Sequence, residues 1–340
     1  MSKLSDFKST GWKELVAKYQ APHTWKGLWQ LFNSIIPFIV LWYGMFRSLE
    51  VSYWLTLLLS LPTAGFLVRV FIIQHDCGHG SFFSSKKANN MTGLLCSIFT
   101  WTPYFYWRKG HGIHHATAGN LKSRGIGDVL TMTVKEYQAL NAWGRFKYRF
   151  YRNPLFLIVF IPAIVFMLWY RFPTTRAKAL KKVESSVYWT DLAIGLLVGT
   201  VIYFTGFKAF LMIQVPVMIF AASIGQWLFF VQHQFENTYW ADDEEWDYTQ
   251  AALQGSSYYK LPKVLQWFTG NIGFHHIHHL NPAIPNYMLE KCHKNVPLFK
   301  KAVVLNIRTS LKSLMLGLWD EEQKKLISFR QFRRRSMFGV

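Results

Sequence analysis

Apolar positions in this chain gather into runs too long and too continuous for the one-sided helix of a water-soluble fold. VSYWLTLLLSLPTAGFLVRVFII (51–73) and FLMIQVPVMIFAASIGQWLFFVQ (210–232) are each long enough to cross a hydrocarbon core of ~30 Å, which takes about 20 helical residues. Arg69 is the only Asp, Glu, Lys or Arg in either run, and it is placed where its stem can snorkel to the head groups. Two shorter runs, LFNSIIPFIVLWYGMF (31–46) and LAIGLLVGTVIYFTG (192–206), precede the longer ones by a few residues. The pattern predicts two helical hairpins.

Two further apolar stretches, MTGLLCSIFTWTPYFYW (91–107) and PLFLIVFIPAIVFMLWY (154–170), carry Pro103 and Pro162 inside and basic residues on both flanks: Lys86 and Arg108, Arg152 and Arg171. Parity and length predict re-entrant or interfacial helices for both. The N-terminal arm places Leu4, Phe7, Leu15 and Tyr19 at helical spacing among lysines, with Trp12 nearby, and predicts a helix lying on the membrane surface. The expected architecture is an all-α integral membrane fold, one domain over 1–340. It comprises an interfacial arm (1–29), a first hairpin (30–73), a cap in two parts (74–187 and 233–340, the second ending in a basic tail) and a second hairpin (188–232).

Composition supports this class, with 51% hydrophobic and 18% aromatic residues. Thirty-eight Lys and Arg against 18 Asp and Glu give a formal charge of +20. In a membrane protein that excess belongs to loops held at anionic head groups, and no nucleic-acid motif accompanies it. Lys3, Lys8, Lys13, Lys18 and Lys26 precede the first hairpin, whose turn holds only Arg47 with Glu50; RFPTTRAKALKK (171–182) precedes the second, whose turn holds only Lys208. Both hairpins therefore enter from the cytoplasm, and the cap, both termini and the tail FRQFRRRSMFGV are expected on or against that side. Cys77, Cys96 and Cys292 are odd in number and scattered, which suggests no disulfide frame.

The chemistry lies in the histidines. HDCGH (75–79) begins two residues after the first long run, HGIHH (111–115) follows the stretch 91–107, His233 closes the second long run, and HHIHH (275–279) comes later. On a helix His75 and His79 project within about 40° of each other, and each His-x-x-His-His triplet points three imidazoles into an arc of about 100°. His75, His79, His111, His114, His115, His233, His275, His278 and His279 are too many for one four-coordinate zinc, whereas two iron ions with room for oxygen could use nearly all of them. His276 lies at the edge of its arc and is expected to support a ligand from behind.

These boxes resemble the membrane fatty acid desaturase family, whose mark is three histidine boxes of the forms H-x(3–4)-H, H-x(2–3)-H-H and H-x-x-H-H. FIIQHDCGHGSFF, GHGIHHATAGNL, WLFFVQHQFE and GSSYYKLPKVLQWFTGNIGFHHIHHLNPAIPNY extend the likeness over nearly the whole chain, toward bacterial acyl-lipid desaturases of the phospholipid delta-5 type. The resemblance implies an oxidoreductase of a bacterial cytoplasmic membrane. It would use two iron ions, dioxygen as co-substrate and electrons from a ferredoxin or flavodoxin to place a cis double bond in a lipid acyl chain, the nine histidines holding the irons. Asp76 and Glu236, each beside a ligand stretch, become candidates to orient imidazoles. In animal acyl-CoA desaturases an asparagine four residues before the histidine at the end of the last span completes the site through water; here that position is Phe229, and Asn271, four before His275, is the substitute candidate. Trp101, Tyr104, Tyr106, Trp107, Trp227 and Phe230 lie near the ligand stretches and could line an acyl slot. Two other readings use the same histidines: a membrane hydroxylase of alkanes, sterols or carotenoids, and a metal transporter, whose sites usually sit at the membrane midplane.

Overall fold

A computed structural model describes residues 11–173 and 177–338. Leu4 and Phe7 of the predicted surface helix lie outside them. Helix α1 (Trp12–Ala17) is followed by α2 (Thr24–Ser48) and α3 (Tyr53–His79), the first hairpin. Its tight turn is closed by the Ser48 and Thr56 hydroxyls, 2.7 Å apart. Next come α4 (Lys86–Thr100), started by the Ser85 side chain accepting from the Ala88 N–H, and α5 (Tyr104–Thr117). Helix α6 (Ala142–Tyr151) leads into a π-helical turn (Phe156–Phe160) and α7 (Ile161–Met167). Helices α8 (Ser185–Thr205) and α9 (Phe207–His233) form the second hairpin, joined by the single residue Gly206 at φ 82°. Short helices α10 (Lys263–Phe268) and α11 (His275–Leu280), then α12 (Asn286–Asn295) and α13 (Ile307–Ser310), build the later half of the cap.

Among the described residues four helices, α2, α3, α8 and α9, are long and apolar enough to cross a membrane, each with both ends within seven residues of the predicted run. Pro37, Pro62 and Pro216 sit inside three of them, where neighbouring helices and local adjustment absorb the lost hydrogen bond. The stretch 91–107 is broken between α4 and α5 at Trp101, which takes φ 54°. The stretch 154–170 meets α6 at a 60° bend, the geometry of a broken span or a re-entrant loop.

Helices α3 and α9, the second span of each hairpin, pack directly on each other. Leu67, Val68 and Ile72 of α3 and Ile213, Val217, Met218, Leu228 and Val231 of α9 share one buried cluster, which Val129, Tyr259 and Ile272 extend toward the cap. Because both helices end in histidine on the side of this cluster toward the cap, the packing of the spans sets the distance between those imidazoles. Two small sheets, ordered β1(Met132–Thr133)–β4(Leu316–Asp320)–β5(Lys325–Ser328) and β2(Tyr258–Lys260)–β3(Val304–Asn306), tie the cap together. Helical periodicity gave no sign of these short pairings.

One expectation is corrected, and two terminal segments are anchored to the protein. Arg69 does not snorkel: it is buried, donates to the Trp267 carbonyl and lies 3.9 Å over the Trp267 ring. This contact fastens α10 to the flank of α3, with Phe268 against Phe66 at 5.0 Å. The described part of the arm packs on the cap, where Val16 and Tyr19 are buried in a cluster with Ile277, Leu280 and Leu289. The basic tail is likewise anchored, with Phe332 buried against Tyr137 and Leu318 and Arg335 paired to Asp320.

Candidate metal centre

The nine predicted imidazoles come together at one place. His75 and His79 stand one turn apart at the end of α3, their ring centroids 4.8 Å apart. Helix α5 supplies His111, His114 and His115; α9 ends on His233; the six residues of α11, all buried, supply His275, His278 and His279.

They divide into two groups. His75, His79, His111, His115 and His278 offer nitrogens that all lie within 4.8 Å of one another, and so do His114, His233 and His279. His275 joins the second group, its Nε2 3.0 Å from that of His233. The division corrects the idea that each triplet points one way. In α5 the i,i+4 pair His111 and His115 serves the first group and His114 the second; in α11 the pair His275 and His279 serves the second group and His278 the first. Residues four apart share a face more closely than residues three apart, so each short helix straddles both groups.

The nitrogen geometry fits metal ions. His115 Nε2 lies 3.1 Å from His111 Nε2 and 3.0 Å from His278 Nε2; His233 Nε2 lies 3.3 Å from His114 Nε2 and 3.0 Å from His275 Nε2. One shared proton cannot serve three converging lone pairs well. A cation bound at about 2.1 Å, with angles of about 90° to 109°, places its nitrogens about 3.0–3.4 Å apart. His79 Nε2 and His279 Nε2 are buried without a hydrogen-bond partner, an arrangement that is costly unless something else satisfies them. Burial, followed by the neighbouring imidazoles, holds His111, His115, His275, His278 and His279 neutral far below the usual imidazole range. Neutral imidazole is the ligand form.

Three imidazoles are held from behind. Asp76 Oδ1 lies 3.0 Å from His75 Nδ1, Asp128 Oδ1 2.6 Å from His114 Nδ1, and the Gly255 carbonyl 3.1 Å from His233 Nδ1. Each acceptor selects the Nδ1–H tautomer and leaves Nε2 free to bind. Asp76 also accepts from the backbone and side-chain N–H of Asn286, at 2.6 and 2.8 Å, which locks the cap to α3. Asp128 and Gly255 were not anticipated: each lies more than ten residues from the histidine it supports, and nothing local marks it. Asp128 reaches His114 because Gly127, at φ 74°, lets the loop pass so close that a Cβ there would stand 3.0 Å from His114 Cβ.

The other predicted supports lie elsewhere. Glu236 is exposed and pairs with Lys325 at 3.9 Å, so it orients no imidazole. His276 turns away from both groups toward His293 and Phe299, ring centroids 5.5 and 5.8 Å distant, and burial, followed by His293, pushes it down to about 3. Asn271 takes φ 59° in a turn; its amide donates to Asn286 O and accepts from Gln266. It therefore supports Asn286, behind Asp76, and does not face the metal groups.

Of the predicted slot residues, Trp107 touches the centre, stacking on His111 at 4.6 Å and 16°. Tyr104 is fully buried and donates to Cys77 O; Trp227 donates to the Tyr259 hydroxyl; Phe230 lies beneath Arg152; the Trp101 carbonyl receives Arg171; Tyr106 neighbours Tyr170. Phe229 was missed as a contact: its ring lies 5.1 Å from His114 and 5.2 Å from His233. A small cavity beside the second group is lined by Phe229 with His114, Asp128, Val129, His233 and Gly255.

Known proteins are similar to this chain over most of its length. Residues 52–305 match the family described as fatty acid desaturase. A fatty acid desaturase of Bacillus subtilis (strain 168) is 46% identical over 318 residues, 94% of this chain and 90% of the relative. An endoplasmic-reticulum omega-3 fatty acid desaturase of Vigna radiata var. radiata is 26% identical over 73% of this chain and 66% of its own length. A chloroplastic sn-2 acyl-lipid omega-3 desaturase (ferredoxin) of Helianthus annuus is 25% identical over 78% of this chain and 61% of its own.

Proposed function

The chain belongs to the fatty acid desaturase family, and from that premise we propose that it places a cis double bond in a saturated acyl chain of membrane phospholipid, at the delta-5 position. The family makes it an oxidoreductase of acyl chains, and its apolar helices make it a membrane protein. The observation that carries the finer reading is the division of nine imidazoles into groups of five and four around converging Nε2 atoms.

On this reading His75, His79, His111, His115 and His278 hold one iron, and His114, His233, His275 and His279 the other. Bound iron supplies the power to activate dioxygen against C–H bonds too inert for acid–base chemistry. The acyl chain gives up two hydrogens, an external donor supplies two electrons and solvent two protons, and dioxygen leaves as two waters. The residues of this chain do the positioning. Asp76, Asp128 and Gly255 hold Nδ1 protonated and Nε2 inward, while Trp107 and Phe229 give the two groups apolar neighbours. The Helianthus annuus relative, an sn-2 acyl-lipid omega-3 desaturase (ferredoxin), supports an acyl-lipid substrate and a ferredoxin donor; flavodoxin is the alternative carrier. The cap, 74–187 and 233–340, and both termini face the cytoplasm in this proposal, supported by the basic arm and the basic segment at 171–182.

Expression in a host lacking unsaturated fatty acids, with double bonds mapped by mass spectrometry, tests the reading. The expected product is a monounsaturated C16 or C18 chain with the bond at delta-5. A hydroxylated chain would assign the hydroxylase reading, and unchanged lipids from iron-loaded protein with electrons supplied would overturn both.

A further inference from the structure

We propose that the outer face of α6, with the neighbouring strip 304–315, is a docking surface for the head-group layer of anionic phospholipid. In α6 the rings of Trp143, Phe146 and Phe150 stack in succession, with centroids 5.2 and 6.3 Å apart and planes 12° and 24° from parallel. The ladder continues across the bend to Phe156, 4.5 Å from Phe150, and on to Phe160. Trp143, Phe146 and Phe150 are each more than half exposed, and they lead into the apolar 156–171 element, where Ile164, Leu168 and Trp169 are exposed too. A soluble surface rarely presents so long a continuous apolar face.

The strip beside it has the same character. Val304, Ile307, Leu311 and Met315 are exposed at roughly helical spacing. The two segments are neighbours because Tyr148 donates to Gly317 O at 2.6 Å and Arg152 to Leu316 O at 2.7 Å. Lys147 flanks the aromatic arc, Arg308 and Lys312 flank the strip, and all three are exposed. Neither 142–171 nor 304–315 contains an Asp or Glu. Apolar residues flanked by cations alone, continuous with an element that meets the membrane, select an anionic lipid surface over water or an acidic protein.

The inner face of the same helix holds the metal-supporting loop. The Tyr148 hydroxyl accepts from Met132 N at 3.0 Å, the Tyr151 hydroxyl accepts from Leu130 N at 3.1 Å, and Arg152 donates to Leu130 O at 3.3 Å. Asp128, behind His114, lies two residues away from Leu130. One helix therefore links the membrane surface to a ligand of the second group.

The native cysteines are all buried, so fluorophores can be attached selectively to F146C, M315C and, as a control on the β4–β5 turn, E322C. Full-length protein is reconstituted in phosphatidylcholine vesicles with or without phosphatidylglycerol, and each label is quenched by lipid-borne nitroxide or by aqueous iodide. Labels at 146 and 315 should be quenched from the lipid and shielded from iodide. Phosphatidylglycerol should raise that ratio severalfold, and the pair K147E and K312E should return it to the value in phosphatidylcholine alone. The label at 322 should behave oppositely. Iodide access at 146 and 315 equal to that at 322 would overturn the proposal. So would shielding that follows protein density instead of lipid charge, which would assign the face to a second copy of the chain. The readout is depth and not turnover, so it stands whatever reaction the metal centre performs.

Discussion

The two histidine groups are built from the same parts and come out unequal. Each takes the end of one long span, one i,i+4 pair and one i+3 imidazole from a short helix, yet the first has five imidazoles and the second four. The difference lies in one turn of helix. Four residues before its last histidine α3 carries His75, whereas four before His233 α9 carries Phe229, whose ring lies against both His233 and His114. The backing differs as well. His75 is held by the carboxylate next to it in sequence, whereas His114 and His233 are held by Asp128 and Gly255, distant in the chain. If the two groups hold metal as proposed, the five-membered group has an imidazole to spare, whereas the four-membered group depends on each of its members and on a loop.

The largest effects should come from removing span histidines. His233→Ala leaves three imidazoles and should lose the second metal, with activity down by about 100-fold or more. His79→Ala leaves four imidazoles in the first group and should retain more metal than His233→Ala when both are purified and analysed for iron. Equal retention would break the comparison. Next comes Phe229→His, which adds a fifth imidazole to the second group: metal should dissociate more slowly in chelator competition, and turnover should fall as the apolar neighbour is lost. Unaltered dissociation would mean that position 229 does not face the ion.

The carboxylates rank below the ligands. Asp128→Asn should weaken metal binding by about 10- to 100-fold, because the neutral amide neither selects the tautomer nor stabilises the bound imidazole. Asp76→Asn should act similarly and also loosen the cap, since Asn286 donates to the same carboxylate. The smallest effect is expected for Gly127→Ala, where a side chain must adopt a positive φ against His114. The strain should cost about 1–2 kcal/mol, seen as a lower midpoint for metal-dependent thermal unfolding.

The same contrast explains what could be read from the sequence. Spans and histidine boxes are encoded locally, in apolar runs of sufficient length and in residues three and four apart; the span ends were legible to within seven residues, and the boxes do meet in a cluster that could hold metal. The split of each triplet between two groups was not, because it depends on where α3 and α9 place their ends. Asp128 and Gly255 reach their targets from irregular segments, and Asn286 from the first residue of a helix, none of them marked by a periodic signature. Glu236 looked apt by adjacency and His276 by its place at the edge of a helical arc, and neither says which way a side chain turns in the fold. Arg69 misled because a charge in an apolar run suggests lipid; the Trp267 carbonyl that receives it is 198 residues away.

Mössbauer spectroscopy of the protein loaded with iron-57 tests the central claim most directly. Two irons per chain, giving two nitrogen-rich signals of equal area of which His233→Ala removes one, is the predicted result. One iron per chain, or a His233→Ala spectrum that loses both signals in equal proportion, would contradict the division into five and four.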